Sequence, residues 1–162
     1  MECEGLVDRI RRAATRALED VISASVEKKN WDHIVLLIEE VLQRLYSFVP
    51  HRVDIHHRIH DEVSPELIGQ MLKNDAMDPA NFFRYFAAIH EWVKKFGAVE
   101  DDKDVDASMR ELYSIPEGTP FSKAIPQVLT RIHGLLDVVD KRMAPYLDVK
   151  QKVAEEDAAK RG

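Results

Sequence analysis

Apolar residues recur every three or four positions through most of this sequence, and that spacing restricts the chain to helical folds. In the first segment the recurring positions are aliphatic: Leu6, Ile10, Ala13, Ala14, Ala17, Leu18, Val21 and Ile22. Residues with this spacing share one face of a helix, so the pattern predicts a first helix over about 4–27. Alternating apolar and polar residues bounded by turn dipeptides, which would indicate strands, are absent.

The second segment begins at Asn30, a residue type that caps helices, and ends before Pro50. Its apolar residues cover more than half of the predicted helix circumference. A helix of this kind needs neighbours on several sides, so we expect it to be central in the fold. The residues expected to be buried there are Ile34, Leu37, Ile38, Val41 and Leu45.

Three later helix starts share one pattern, a capping residue followed by proline: Ser64-Pro65, Asp78-Pro79 and Thr119-Pro120. Proline suits the first helical position because the amide hydrogen that it lacks would have no partner there. The pattern predicts helices near 64–74, 78–96 and 119–143. The last of them is expected to end at Ala144-Pro145, and shorter helices are expected at 52–62 and 103–113.

These elements predict an all-α fold, a bundle of six or seven helices. We expect a single helical domain over residues 1–149, because no linker or internal repeat divides that range. The remaining residues, 150–162, are polar on all sides, so they are expected to form a frayed C-terminal tail.

Composition excludes several classes of function. The net charge of −6 argues against a nucleic-acid binder, which would normally present a basic face. Cys3 is the only cysteine, so neither an intrachain disulfide nor a cysteine zinc site can form, and a reducing compartment is expected. No apolar run is long enough for a secretory signal or a membrane span. We therefore expect a cytoplasmic protein.

Motifs for catalysis and cofactor binding are also absent. Glycine-rich phosphate-binding loops and the Gly-x-Ser-x-Gly pattern of serine hydrolases do not occur. The sequence therefore predicts no cofactor and favours a protein that binds over one that catalyses.

An ordered series of motifs runs from Trp31 to about Tyr146. The motifs are Trp31-Asp32-His33-Ile34, Arg58-Ile59, Val63-Ser64-Pro65-Glu66-Leu67-Ile68-Gly69-Gln70, Ala76-Met77-Asp78 with Phe82-Phe83-Arg84-Tyr85, and Leu135 to Met143 with Pro145-Tyr146-Leu147. Together they resemble the t-complex protein 11 family, over the N-terminal part of its helical domain. Two positions depart from the family pattern. Gly97 to Asp102 replaces a cysteine-alanine-proline stretch, and Ser64 stands where aspartate is usual.

The resemblance implies a non-enzymatic helical module with a protein partner. Because the family is linked to cyclic-AMP and protein-kinase-A signalling, it also implies that the partner is a component of the kinase-A pathway.

Four of the seven histidines lie within residues 51–60, the segment whose chemistry is the most suggestive of a site. His56 and His60 are four residues apart, the spacing at which two imidazoles on one helix face can share a metal ion. The position after His56 is His57, not the glutamate of a His-Glu-x-x-His motif. The alternative interpretation is a solvated helix whose histidines pair with neighbouring acids.

A second alternative is a metal-dependent phosphohydrolase of the His-Asp type. His33, His60 and Asp61 would supply three ligands, and a carboxylate from 101–106 or Asp137 would supply the fourth. Such a site requires ligands converging from separate helices on a metal that activates water.

The first helix offers a possible docking face. Its pairs Ala13-Ala14, Ala17-Leu18, Val21-Ile22 and Ser25-Val26 form a ridge that either docks into a helical partner or closes the bundle. Arginines flank the ridge. The histidines within residues 51–60 can modulate an electrostatic contact with a partner near neutral pH. We therefore assign the partner-binding surface to Arg52, His56, His57, His60, Arg9, Arg12 and Arg16.

Overall fold

The computed structural model describes the backbone of residues 2–161 and the side chains of 5–145 and 155–160. Seven α-helices follow one another: α1 (Glu2–Glu27), α2 (Trp31–Ser47), α3 (Val53–Val63), α4 (Pro65–Lys73), α5 (Pro79–Phe96), α6 (Asp102–Tyr113) and α7 (Phe121–Arg161). A single 3-10 turn, Val99–Asp101, precedes α6. Residues 2–161 contain no strand, and the predicted all-α bundle of six or seven helices is confirmed.

The capping residues begin three of these helices as predicted. The side-chain oxygens of Asn30, Ser64 and Asp78 accept hydrogen bonds from the amides of His33, Leu67 and Asn81, at 3.4, 3.4 and 2.7 Å. Each bond satisfies a backbone donor that the first turn of a helix leaves without a partner. Ser64 also ends α3 with a positive φ of 36°, so one residue turns the chain directly from α3 into α4.

The predicted cap of α7 is wrong by one residue. Thr119 does not cap the helix, because its hydroxyl donates to the Pro116 carbonyl at 2.7 Å. The carbonyl of Pro120 instead accepts from the Ala124 amide at 3.1 Å, and α7 begins at Phe121. Pro120 is therefore the cap and does not occupy the first helical position.

Helix α2 is central, as its apolar circumference predicts. It contacts α1, α3, α4, α5 and α7. The five residues expected to be buried are buried: Ile34, Leu37, Ile38, Val41 and Leu45. Gly69 allows α4 to approach α2 closely, since a Cβ at that position would lie 2.6 Å from Val35 Cγ2.

Helix α1 lies against α7, and a proline creates one of the bonds between them. Pro126 lies inside α7 and has no amide hydrogen to donate to the carbonyl of Ser122, four residues earlier. The Ser23 hydroxyl of α1 donates to that carbonyl at 3.2 Å. The hydrogen bond that the proline removes from α7 is thus replaced by one that joins two helices.

The predicted end of the last helix is wrong. The helix does not stop at Ala144-Pro145 but continues through Pro145 to Arg161. Proline removes one backbone hydrogen bond, and the residues that follow are mostly good helix formers, so the helix can resume beyond it. The residues expected to form a frayed tail, 150–162, are helical up to Arg161, with exposed side chains at 155–160. The side chains of 146–154 and the whole of Gly162 lie outside the described residues.

The central position of α2 predicts a large cost for shortening one of its buried side chains. Leu45 is fully buried, so Leu45→Ala should lower the free energy of unfolding by about 2–5 kcal/mol through lost contacts and a cavity. Leu36→Ala on the same helix is the matched control, because Leu36 is 51% exposed. Urea denaturation measures both. A Leu45→Ala cost similar to that of Leu36→Ala would contradict the packing.

The bond to the Ser122 carbonyl predicts that Ser23 and Pro126 are energetically coupled. Ser23→Ala alone should lower the free energy of unfolding by about 0.5–1.5 kcal/mol. In a Pro126→Ala background the new alanine amide can bond the Ser122 carbonyl within α7, so Ser23→Ala should cost less there. A double-mutant cycle of urea denaturation measures the difference, and strictly additive costs would contradict the bond.

Candidate functional site

His56 has a structural role at the turn between α2 and α3. Its ring stacks on Tyr46 with centroids 4.6 Å apart. Its Nε2 donates to the Val49 carbonyl at 2.8 Å. The side chain is half-buried, so His56 secures the turn and presents little surface to a partner.

The other members of the predicted surface on α3 are exposed and mostly pair with neighbouring acids. His60 Nε2 lies 3.1 Å from Glu66 Oε1. Arg52 donates to both carboxylate oxygens of Asp54, at 3.0 and 2.8 Å, and this bonding lowers the pKa of Asp54 to about 2. His57 is exposed to solvent. Exposed pairs of this kind contribute little to stability.

The residues proposed for a metal centre are not brought together. Ser25 Oγ lies 2.5 Å from His33 Nδ1 in a hydrogen bond, while His60 contacts Glu66. Among the residues that the structure describes, no three histidine, cysteine or acidic side chains are placed to hold a metal ion. The described residues therefore form no metal centre shared by His56 and His60. They form none shared by His33, His60 and Asp61 either.

The predicted ridge of α1 is divided between the core and the surface. In its second half Ile22, Ser25 and Val26 are buried and close the bundle. In its first half the apolar positions are exposed, and Leu6 and Ile10 keep 58% and 59% of their surface. We define the apolar stripe as Leu6, Ile10, Ala13, Ala17 and Val21, all exposed and spaced along one face of the helix.

Arginines lie beside this stripe. Arg9, Arg12 and Arg16 are exposed, and their helical positions place them along one side of it. Residues 5–17 contain four arginines and one aspartate, although the whole chain has a net charge of −6. The first half of α1 is therefore an apolar and basic surface on an otherwise acidic protein.

Arg44 connects α2 to α7 through a polar cluster that sequence patterns do not reveal. Its guanidinium donates to Asp137 at 2.7 Å and to Asp140 at 2.6 Å. It also lies 3.2 Å from His133 Nδ1. Because arginine can only donate, Nδ1 must accept and the proton of the neutral ring is on Nε2. Burial and the nearby Arg44 charge lower the pKa of His133.

A buried histidine and serine join α5 to α6. His90 and Ser108 are 1% and 2% exposed. His90 Nδ1 donates to the Phe86 carbonyl at 2.7 Å, so its Nε2 is unprotonated and accepts from the Ser108 hydroxyl at 2.6 Å. No sequence motif marks this pair, because its members lie 18 residues apart on different helices.

The serine–histidine pair resembles the nucleophile and base of a hydrolase in its hydrogen bonding. However, the cavity beside it measures only about 10 Å³, which is room for about one water molecule. Without space for a substrate, the pair acts as a polar link between two helices.

No protein-family model, curated protein or solved structure matches this chain. The resemblance to the t-complex protein 11 family therefore stays a prediction from the motifs alone. In the part of the chain that the structure describes, no helix combines the length and the apolar character needed to cross a membrane.

The buried histidines predict a loss of stability in acid. Burial lowers the pKa of His90 below its usual value, near 6.5, so below about pH 6.5 the unfolded chain binds more protons than the folded one. Stability should be complete above that pH and fall as the pH decreases toward the folded pKa. Urea midpoints at about pH 7.5 and 5.5 measure this fall.

His90→Gln provides the comparison, because glutamine does not titrate in this range. The variant should lose less stability than the wild type between the two pH values, and contributions from carboxylates cancel in the difference. An equal loss in both proteins would show that His90 is not held neutral by the fold.

Proposed function

We propose that this chain is a non-enzymatic protein-interaction module that docks a partner through the apolar stripe of α1 and the arginines beside it. One observation supports this proposal above the others. Helix α1 exposes Leu6, Ile10 and Val21 in line on one helix face, whereas the central helix α2 buries most of its apolar residues.

Single exposed apolar residues are common on soluble proteins, but aligned ones are typical of docking surfaces. An amphipathic helix docks by placing residues with this spacing into an apolar groove. The positive charge of Arg9, Arg12 and Arg16 favours a groove with an acidic rim. The alanines between the larger side chains allow a partner helix to approach closely.

The predicted surface on α3 has a smaller part in this proposal. Arg52, His57 and His60 are exposed and accessible to a partner, while His56 serves the turn beside it. We place the main contact on α1 and treat α3 as a secondary surface.

The resemblance to the t-complex protein 11 family suggests one defined partner. Regulatory subunits of protein kinase A have a dimerised docking domain that accepts an amphipathic helix, and the stripe of α1 is a candidate ligand for it. The lone cysteine favours a reducing compartment, so cytosolic extract is the appropriate source of other partners.

The decisive variant is Leu6→Ser combined with Ile10→Ser. Both residues are exposed, so the free energy of unfolding should change by no more than about 0.5 kcal/mol, whereas partner binding should be lost. Partners captured from cytosolic extract are compared between wild type and variant. Fluorescence anisotropy with the purified kinase-A docking domain tests the defined candidate.

Val99→Ser in the 3-10 turn before α6 is the control, because Val99 is an exposed apolar residue that lies outside both α1 and α3. It should retain every partner of the wild type. Replacing Arg9, Arg12 and Arg16 with glutamate should also weaken binding, and wild-type binding should fall as salt rises. Equal capture by wild type and the Leu6→Ser, Ile10→Ser variant would contradict the proposal.

A further inference from the structure

A groove on the outer face of α2 lies between that helix and the start of α4. Its volume is about 330 Å³. On α2 the groove runs from Leu36 to Tyr46, a length of about 15 Å at the helical rise of about 1.5 Å per residue. His60 of α3 and Pro65 and Glu66 of α4 line its other side. We call it the acidic groove.

The acidic groove combines an apolar wall with carboxylates. Leu36 keeps 51% of its surface exposed, although most apolar residues of α2 are buried. Glu39, Glu40 and Glu66 line the groove, and no arginine or lysine among the described residues does so. His60 is its one other titratable base, and it is bonded to Glu66. The groove is therefore negative whether His60 is neutral or charged.

The arginines and lysines of the three helices around the groove have partners elsewhere. Arg44 of α2 is bonded to acids of α7. Lys73 of α4 pairs with Asp32 at 2.6 Å. Arg58 of α3 lies over the Trp92 ring, 5.4 Å from its centroid. Among the described side chains none of the three forms an ion pair with a glutamate of the groove, so these carboxylates remain available to an incoming cation.

The first half of α1 has the complementary charge and a similar length. Leu6 to Ala17 of the apolar stripe span about 17 Å of helix, close to the length of the groove. Arg9, Arg12 and Arg16 lie beside them and are exposed. No residue of α1 lines the groove, because α1 is packed along α7 in the same chain. A contact between the two surfaces must therefore join two molecules.

We propose that the acidic groove of one copy of this chain docks the first half of α1 from a second copy. Leu6 and Ile10 cover the exposed Leu36, and the arginines of α1 lie opposite the glutamates of the groove. Complementary charges of this kind orient the two surfaces as they meet. The contact joins two different surfaces, so it is heterologous. This inference rests on the proposed docking role of α1 and identifies its occupant as a second copy.

Sedimentation equilibrium of the whole chain tests the contact. The average mass of the wild type should rise above that of the monomer between about 10 and 500 μM, the range of a weak docking contact. Association should weaken as salt rises, because salt screens the attraction between arginines and glutamates. Without that pairing, copies of net charge −6 repel each other and would associate more strongly as salt rises. A monomer throughout, or association that strengthens with salt, would overturn the proposal.

Charge reversal locates the groove. Glu39→Lys combined with Glu40→Lys should weaken self-association at least about tenfold. Leu36→Glu, which places a charge on the apolar wall, should have the same effect. Glu91→Lys combined with Glu117→Lys is the matched control, because it changes the net charge equally at exposed acids outside the groove. It should associate at least as strongly as the wild type. Wild-type association in the two groove variants, or weakened association in the control, would contradict the assignment.

A mixture of two variants shows which surfaces meet. The Leu6→Ser, Ile10→Ser variant keeps an intact groove, and the Glu39→Lys, Glu40→Lys variant keeps an intact α1. Each variant alone should be monomeric. Their mixture should form a 1:1 complex and nothing larger, because only one complete contact is available. A mixture that stays monomeric, or that forms larger species, would show that α1 and the groove are not the two halves of one contact.

Partner capture separates this inference from the proposed function. If the wild type is monomeric but the Leu6→Ser, Ile10→Ser variant still loses captured partners, the second copy is wrong as the occupant and the docking role of α1 stands. If that variant retains both partner capture and self-association, the docking role and the second copy are both wrong.

Discussion

Burial of the apolar surface of α2 is the interaction on which the rest of the structure depends. Ile38, Val41 and Leu45 are fully buried, and five other helices contact α2. A helix apolar over so much of its circumference can leave water only if neighbours cover several sides, so it organises the bundle around itself. Gly69 lets α4 approach α2 closely. Arg44, a polar residue of α2, donates a hydrogen bond to Asp137 of α7. Arg44 thus gives α2 a polar contact with α7, while α1 lies along α7.

The pairing of α1 with α7 creates a surface with functional potential. Only the second half of α1 reaches the core, through Ile22 and Val26. Its first half extends along α7 and retains an apolar stripe on its exposed side.

Candidate functional residues were only partly predictable from the sequence. The arginines of α1 were predicted because charge beside an apolar helix face is a local pattern. The histidines of α3 were conspicuous by number, yet His56 bonds a backbone carbonyl and His60 bonds Glu66. The groups with the most unusual surroundings, His90 and His133, were missed. Each stands alone in sequence and takes its properties from partners on other helices, Ser108 and Arg44.

The sequence by itself determined where α2, α4 and α5 begin, because capping by Asn30, Ser64 and Asp78 depends on residues three positions away. It also determined the buried face of α2, because periodicity along one helix requires no knowledge of its neighbours. Only the tertiary structure decided which half of the α1 ridge is covered and which nitrogen of His133 holds the proton. Those properties depend on contacts between residues about a hundred positions apart, such as Ser23 and Ser122 or Arg44 and His133, and no local pattern encodes them.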